Sequence, residues 1–244
     1  MLTFLVAAAI LLQVALFAAP PDRYGDLAYL ESLAPKRPVD GQYTWVSELY
    51  RWPDKTVPYM IDPNSNFTAE QLQLILDGFD EIMAKTCVKI VEKTNETIFV
   101  TVTNVNAGCF ANMGYLGEST TMNLEPGCFY LGIAVPIHEF MHILGFHHEQ
   151  IRYDRDLYIK VIWNNIQETT KFNFIKTSRL AMYPKYTYDF LSVMQYRLNS
   201  FTLTGSNTME LMPGVNPGFN SSLIGWSKLM STTDIARINS AYKC

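Results

Sequence analysis

The sequence lacks any excess of basic residues, and charged residues of both signs are sparse. Its 244 residues include 19 Lys plus Arg and 23 Asp plus Glu, which leaves a net charge of -4, and only 17% are charged. A protein that neutralises a nucleic-acid backbone needs surplus cations, so we expect no nucleic-acid partner. Internal repeats and low-complexity tracts are absent too, and 48% of the residues are hydrophobic. This composition excludes disordered, collagen-like and coiled-coil chains.

Long apolar runs are missing everywhere except at the N-terminus. Residues 2–19 are apolar apart from Thr3 and Gln13, and the run ends in Ala18 and Ala19 ahead of two prolines. This pattern is typical of a cleaved signal peptide, so we predict that residues 1–19 are removed. The mature protein is then secreted, with no stable membrane association. A signal anchor is the alternative, because the run is just long enough to span a bilayer and lacks a positively charged start.

Cysteine is scarce, with four residues in the whole chain. An even number in a secreted chain favours two disulfides, and sequence alone leaves three pairings open. N-glycosylation sequons are consistent with secretion. The cysteines are Cys87, Cys109, Cys128 and Cys244, and the sequons begin at Asn66, Asn95 and Asn220.

Alternating strand and helix patterns follow the N-terminal region. The segment TVPYMI, from Thr56 to Ile61, is rich in residues that favour strands and predicts a strand. Thr68 and Gln71 then form a capping box that begins a helix ending at about Lys85. Its apolar positions recur at helical spacing, so one face of this helix is buried. Further elements are predicted as strands over 88–91 and 98–103 and as a last helix capped by Ser231.

Histidine is as scarce as cysteine, but its distribution is informative. All four histidines lie within eleven residues, in the segment IHEFMHILGFHHE. His138 and His142 are four residues apart, so on a helix their rings project from one face and can share a metal ion. Gly145 is expected to end that helix by adopting a left-handed conformation. The chain then turns back, and His148 can reach the same ion.

Three imidazoles leave one corner of a tetrahedral zinc site open, as in catalytic rather than structural sites. Glu139 lies one position around the helix from the first ligand, where its carboxylate can take a proton from a water that zinc activates. We therefore predict metal ligation by His138, His142 and His148, with Glu139 as general base. His147 falls outside the pattern, and we predict a surface imidazole there.

This segment resembles the zinc motif of the metzincins, and specifically that of the astacin family of secreted metalloendopeptidases, which continues with Glu after the third His. Glu149 occupies that position. The resemblance covers Trp52 to Cys244 and includes HEQIRYDRD after the motif, RWPDKTVPY upstream, and Asp234, Ile238, Asn239 and Tyr242 downstream. It implies an α+β metzincin fold of two lobes, with a twisted sheet and two long helices above the cleft. The lower lobe is then mostly irregular, with a C-terminal helix.

The resemblance also assigns roles to a second segment, SVMQY, which corresponds to the family's Met-turn S-x-M-H-Y. Met194 is implied to form an apolar floor beneath the zinc ligands. Tyr196 is implied to bind zinc at rest and to stabilise the oxyanion during hydrolysis. Gln195 replaces the usual His, and the substitution leaves both of these positions intact.

The disulfide pairing is likewise implied only by the resemblance, as Cys87 with Cys244 and Cys109 with Cys128. Family members carry a pro-segment, which we place at residues 20–42. Its F-x-G-D motif resembles the chain around Asp26, although Arg23 stands in place of Phe. We hold Asp26 as a candidate latency switch against the alternative of an exposed turn aspartate.

Family precedent has the new N-terminus buried near Glu149 after activation. The resemblance suggests a mature start near Tyr43, giving a protease domain over 43–244, while the dibasic pair at 36–37 offers another cleavage site. Both possibilities stay open.

The sequence thus predicts a minimal, monomeric, secreted endopeptidase with one zinc ion per chain, acting on proteins or peptides. Two alternatives remain: a secreted metal-binding scaffold without catalysis, and a membrane-anchored protease. Arg197 could line the cleft and favour acidic substrate residues, or it could be an exposed arginine.

Overall fold

A computed structural model of the chain describes residues 50–177, 186–216 and 218–244. The predicted signal peptide and pro-segment, including Asp26, lie outside these residues. The fold is α+β, and 3-10 turns account for much of the chain after residue 148. The strands and helices are β1 Thr56–Ile61, α1 Ala69–Lys85, β2 Lys89–Glu92, β3 Val100–Thr103, β4 Cys109–Ala111, β5 Thr120–Leu124, α2 Ala134–Ile143, β6 Ile159–Val161, β7 Met209–Leu211 and α3 Thr232–Ala241.

Five strands form the main sheet, in the order β2-β1-β3-β5-β4. β1 pairs in parallel with β2 and β3, and β3 pairs in parallel with β5. Only β4, at one edge, runs antiparallel to its neighbour β5. Helices cover parallel strands in most proteins, and here Val57, Val100, Val102 and Met122 are fully buried beneath such a cover.

Helix α1 begins as predicted, because both hydrogen bonds of the Thr68–Gln71 capping box are present. It packs against α2, where the rings of Phe79 and Phe140 lie 4.8 Å apart. Gly78 permits this approach, since a Cβ there would lie 3.0 Å from the Cβ of Pro136. The helix that carries the histidines is therefore held between α1 and the sheet.

Two hydrophobic cores divide the described chain. The first lies between the sheet, α1 and α2. The second lies under the irregular segments that follow and includes Phe174, Tyr196 and Met209. Helix α3 comes late in the sequence, yet its Ile238 and Ala241 pack into the first core. The chain therefore returns to the upper lobe after building the lower one.

Two disulfides reinforce this arrangement. The structure joins Cys87, just after α1, to Cys244, just after α3, across 157 residues. It also joins Cys109 to Cys128, which ties β4 to the segment before α2. Both are the pairs that the family resemblance implies. The first closes the longer loop, and longer loops gain more from closure because the unfolded chain loses more entropy.

The predicted strand over residues 56–61 is confirmed without change, and the strands predicted at 88–91 and 98–103 form with slightly shifted ends. The last helix is confirmed, with a Ser231–Asp234 capping box. Strands β4 to β7 are additional. Among the described residues, no helix combines the length and apolarity that a bilayer span requires.

Candidate metal centre and active site

Helix α2 presents two of the four histidines towards the space between the lobes. Every residue of α2 except His138 is buried, and His138 is partly exposed. Pro136 lies in the first turn, where its missing N–H costs no intrahelical hydrogen bond. The rings of His138 and His142 lie 4.9 Å apart between centroids. The i, i+4 spacing therefore places both side chains on one face, as predicted.

The end of α2 returns the chain to the same face. Gly145 has φ of +95°, a conformation that a residue with a Cβ adopts only with strain. Its N–H donates to the carbonyl of His142 at 2.7 Å, and the N–H of Phe146 donates to the carbonyl of Met141 at 2.9 Å. These two bonds are those of a Schellman motif. The prediction that Gly145 ends this helix is confirmed.

The turn brings the third histidine onto the first two. The Nε2 atom of His148 lies 3.0 Å from Nε2 of His138 and 3.1 Å from Nε2 of His142. The other ring nitrogen of each helical histidine faces a backbone carbonyl. Nδ1 of His138 lies 2.7 Å from the carbonyl oxygen of Val193, and Nδ1 of His142 lies 2.7 Å from that of Phe146. A carbonyl oxygen can only accept, so both Nδ1 atoms carry the proton. The Nε2 atoms of His138 and His142 therefore carry lone pairs, and both face Nε2 of His148.

These residues fit a zinc ion. Two nitrogens bound to tetrahedral zinc lie about 3.3 Å apart, given Zn–N bonds of about 2.0–2.1 Å, and the observed separations are close to that value. Burial lowers the pKa of His138 to about 4 and lowers the pKa of His142 and His148 well below the usual range. The rings are therefore neutral, as metal ligation requires. Within the described chain, these three histidines form a group that could hold a metal ion.

Glu139 and His147 flank the ligands and differ in environment. Glu139 is completely buried in α2 between the two helical ligands. His147 is only partly exposed, and its Nδ1 atom is buried without a hydrogen-bond partner among the described residues. Burial lowers its pKa to about 4. His147 is thus partly exposed, as a surface imidazole would be, but the turn that delivers His148 draws one of its nitrogens inward.

The predicted Met-turn is a tight turn, in which the N–H of Gln195 donates to the carbonyl of Ser192 at 3.1 Å. The side chain of Met194 is buried in the first core, and Tyr196 packs its ring 4.4 Å from that of His148. Gln195 accepts a hydrogen bond from the hydroxyl of Tyr188 and donates to the carbonyl of Tyr196 at 2.8 Å. Gln195 thus connects the turn to the second core.

Glu149 lies at the centre of a buried charged cluster that the sequence did not reveal. Its carboxylate accepts two hydrogen bonds from Arg237, at 2.8 and 2.9 Å, and one from Arg152 at 3.1 Å. The backbone N–H of Asp189 donates to it at 2.7 Å. The N–H of Glu149 donates to the carbonyl of Met194 at 3.0 Å. The cluster therefore binds the zinc-motif segment to α3 and to the Met-turn.

A groove beside His138 continues along the Met-turn to Arg197. Only 8% of Arg197 is exposed. Its guanidinium stacks 3.6 Å from the ring centroid of Trp226 and 4.8 Å from that of Tyr130. Gly225 packs against its backbone so closely that a Cβ would lie 2.4 Å from the nitrogen of Arg197. This arginine is therefore held at the groove rather than exposed to solvent.

Comparison with known proteins identifies the family. The family model for astacin, a family of peptidases, matches residues 45–243. The chain belongs to the astacin family. Among curated astacin relatives, the low choriolytic enzyme of Oryzias latipes is 34% identical over 202 residues, covering 80% of this chain and 69% of that protein. Zinc metalloproteinase nas-6 of Caenorhabditis elegans is 32% identical, covering 79% of this chain and 54% of that protein.

A solved astacin structure shares the fold. High choriolytic enzyme 1, a hatching-enzyme zinc-protease of the medaka fish, superposes with a TM-score of 0.72 at 30% identity, covering 84% of this chain and all of that one. The predicted metzincin fold is confirmed by this match. Myroilysin shares the fold at a TM-score of 0.56 and 18% identity. The chain spans about half to two thirds of the length of the curated relatives described above.

Replacing His148 with Ala should reduce zinc affinity by more than about a hundredfold, because removing a direct ligand costs more than removing a group that only orients one. The measurement is competition against a chromophoric chelator with the purified chain. His147→Ala is the matched control, and its affinity should stay within about threefold of the unmodified chain. A larger loss of zinc affinity in His147→Ala than in His148→Ala would contradict the ligand assignment.

Proposed function

We propose that the chain is a zinc-dependent endopeptidase that hydrolyses internal peptide bonds of proteins. The observation that carries this proposal is the convergence of three neutral imidazoles beside a buried carboxylate, with Nε2 of His148 3.0 and 3.1 Å from Nε2 of His138 and His142. The relatives named above are zinc metalloproteinases and choriolytic enzymes, which supports the same chemistry. When bound by the three histidines, zinc would supply Lewis-acid activation of a water and of the peptide carbonyl.

The remaining steps fall to side chains of the protein. Glu139 is the candidate general base, because it follows a ligand on α2 and sits in a buried environment. It would take the proton from the attacking water and pass it to the leaving amine. The phenol of Tyr196, whose ring lies against that of His148, would donate a hydrogen bond to the oxyanion. Met194 would support the ligands from the first core.

The competing proposal is a catalytically silent metal-binding scaffold. Such a protein needs the three histidines but needs neither a general base nor an oxyanion donor. Glu139 and Tyr196 are both present, and both are buried beside the ligands. This arrangement favours catalysis.

Replacing Glu139 with Gln keeps the size of the side chain and removes its basicity. We expect zinc to be retained and cleavage of a denatured protein to fall by roughly a thousandfold, within the range that general-base catalysis contributes. Cleavage is measured with the activated chain, with and without a zinc chelator, and zinc content is measured in parallel. Equal cleavage by both forms would exclude Glu139 as the base, and chelator-resistant cleavage would exclude zinc chemistry.

We further propose that the groove at Arg197 selects an acidic substrate residue near the scissile bond. A cation with 92% of its surface covered is costly unless it meets an acceptor, and the exposed fraction of Arg197 is 8%. Its Nη2 atom is buried and has no hydrogen-bond partner among the described residues. The rings of Trp226 and Tyr130 lie 3.6 and 4.8 Å from the guanidinium carbon but supply no carboxylate, so the guanidinium donors would bind one from the substrate.

Replacing Arg197 with Gln should lower kcat/KM by about 10- to 100-fold on peptides with Asp or Glu at the position that enters this groove, the range expected for loss of a charge-assisted hydrogen bond. Peptides with Asn or Gln there should change by less than about threefold. Lys160→Gln removes an exposed charge of the lower lobe that pairs with Glu210 and serves as the control. A uniform loss over all peptides would contradict the proposed selectivity.

We propose secretion as well, with a signal peptide over 1–19, a pro-segment over 20–42 and a protease domain over 43–244. Two disulfides in the described chain are consistent with an oxidising compartment. The sequon residues Asn66, Asn95 and Asn220 are all exposed, so each could carry a glycan. Asp26 as the latency switch and Glu149 as the anchor of a new N-terminus remain part of this proposal. A monomer is the expected state.

N-terminal sequencing of protein released from expressing cells tests the secretion proposal. Cleavage after Ala19 gives a chain that begins at Pro20, and activation gives a later start. Retention of residues 1–19 on membrane-bound protein would instead support the signal-anchor alternative.

A further inference from the structure

The first turn of α3 binds the underside of the Met-turn through Asp234. This carboxylate is completely buried. Its Oδ1 accepts a hydrogen bond from the hydroxyl of Ser192 at 2.6 Å, and its Oδ2 accepts one from the backbone N–H of Val193 at 3.0 Å. Oδ2 also accepts from the N–H of Ser231 at 3.1 Å, as the capping box requires. Helix capping uses only one of the two oxygens, so the bond to Ser192 needs another explanation.

The hydrogen bonds continue from Ser192 to a metal ligand. The hydroxyl oxygen of Ser192 accepts from the N–H of Met194 at 3.0 Å. That N–H belongs to the same peptide group as the carbonyl of Val193, which accepts from Nδ1 of His138 at 2.7 Å. The donors all run in one direction, from His138 through the peptide and Ser192 to Asp234. Hydrogen bonds aligned in this way polarise one another in a medium of low dielectric constant.

We propose that Asp234 is a positioning residue for the metal ligand His138, acting through Ser192 and the Val193–Met194 peptide. In many metal sites a carboxylate accepts directly from the ligating imidazole, which fixes the ring and raises its basicity. Here the carboxylate acts through one peptide and one hydroxyl. The arrangement holds Nδ1 of His138 as the donor and keeps its Nε2 lone pair directed at the other two ligands.

The charges around Asp234 are consistent with this role. Arg237 is the neighbouring cation, but its Nη1 lies 4.0 Å from Oδ1 and bonds instead to Glu149 at 2.8 Å. Asp189 is the neighbouring acid, and it accepts from the hydroxyl of Ser231. Burial raises the pKa of Asp234 to about 6, so the group is ionised at neutral pH. Its negative charge is therefore satisfied mainly by donors of the Met-turn and the α3 cap.

The test measures the zinc affinity of Asp234→Asn, of Ser192→Ala and of the variant that combines them. Asp234→Asn keeps the shape but replaces an acceptor with a donor facing Ser192, and Ser192→Ala removes the link while leaving the α3 capping box intact. Each should weaken zinc binding by about 10- to 100-fold, the range for groups that orient a ligand. The double variant should bind zinc no more weakly than the weaker-binding single variant, because both substitutions interrupt the same hydrogen-bonded path to His138. Affinity is measured by chelator competition, and cobalt(II) spectra of the variants should show a shifted ligand field.

Ser231→Ala is the matched control. It removes the side-chain cap of Asp234 N–H, which forms at 2.9 Å, and leaves the path to His138 untouched. Without metal, this variant should unfold at a lower temperature than the unmodified chain. Its zinc affinity should stay within about threefold of that of the unmodified chain. Ser192→Ala still tests the path if Asp234→Asn fails to fold.

Two results would overturn the proposal: zinc affinity of Asp234→Asn and Ser192→Ala no lower than that of Ser231→Ala, or losses that add in the double variant. The proposal depends on the metal centre and not on peptidase activity. If the unmodified chain binds no zinc, the proposed function fails with it, whereas equal zinc affinity in all variants removes only the role of Asp234.

Discussion

The structure depends on holding three unprotonated imidazole nitrogens close together. The Nε2 atom of His148 lies 3.0 and 3.1 Å from those of His138 and His142, and burial disfavours a charge on any of the three rings. The rings of His138 and His142 are held from the opposite side by the carbonyls of Val193 and Phe146. One carbonyl comes from the Met-turn and the other from the end of α2. The two lobes thus meet at the ligands, and their packing holds together three histidines that could bind one metal ion.

The second feature of the site is that its supports come from distant parts of the sequence. Helix α2 is placed by Phe79 and Gly78 of α1, and the Met-turn is placed by Asp234 of α3. Glu149 follows the third ligand directly and is bound by Arg237, also on α3. Burying such a charged group is tolerable because every oxygen has donors. The groove beside the ligands is lined by residues of the same Met-turn, which α3 holds in place.

Much of the site could be predicted, because its chemistry depends on local patterns. The spacing of His138 and His142 and the glycine at position 145 act over single helical turns, where sequence patterns have a direct geometric meaning. The capping residues Thr68 and Ser231 were equally predictable. Strands β4 and β5 were not predicted, since CFA and TTMNL are short and only partly β-branched. They form because neighbouring strands and a disulfide hold them. The roles of Arg237 and Ser192 rest on contacts across 88 and 42 residues, which no local pattern encodes.

The position of α3 has a consequence for how the protein matures. Its residues fill the first core, bind Glu149 and brace the Met-turn, and its end is covalently joined to the segment after α1. During synthesis α3 leaves the ribosome after the histidines, the main sheet, α1 and α2. Part of the apolar interior of the nascent upper lobe therefore stays open until α3 has been synthesised. Synthesis from the N-terminus would therefore delay metal binding at the three histidines. Until α3 has packed, chaperones would have to shield the apolar surface that it covers.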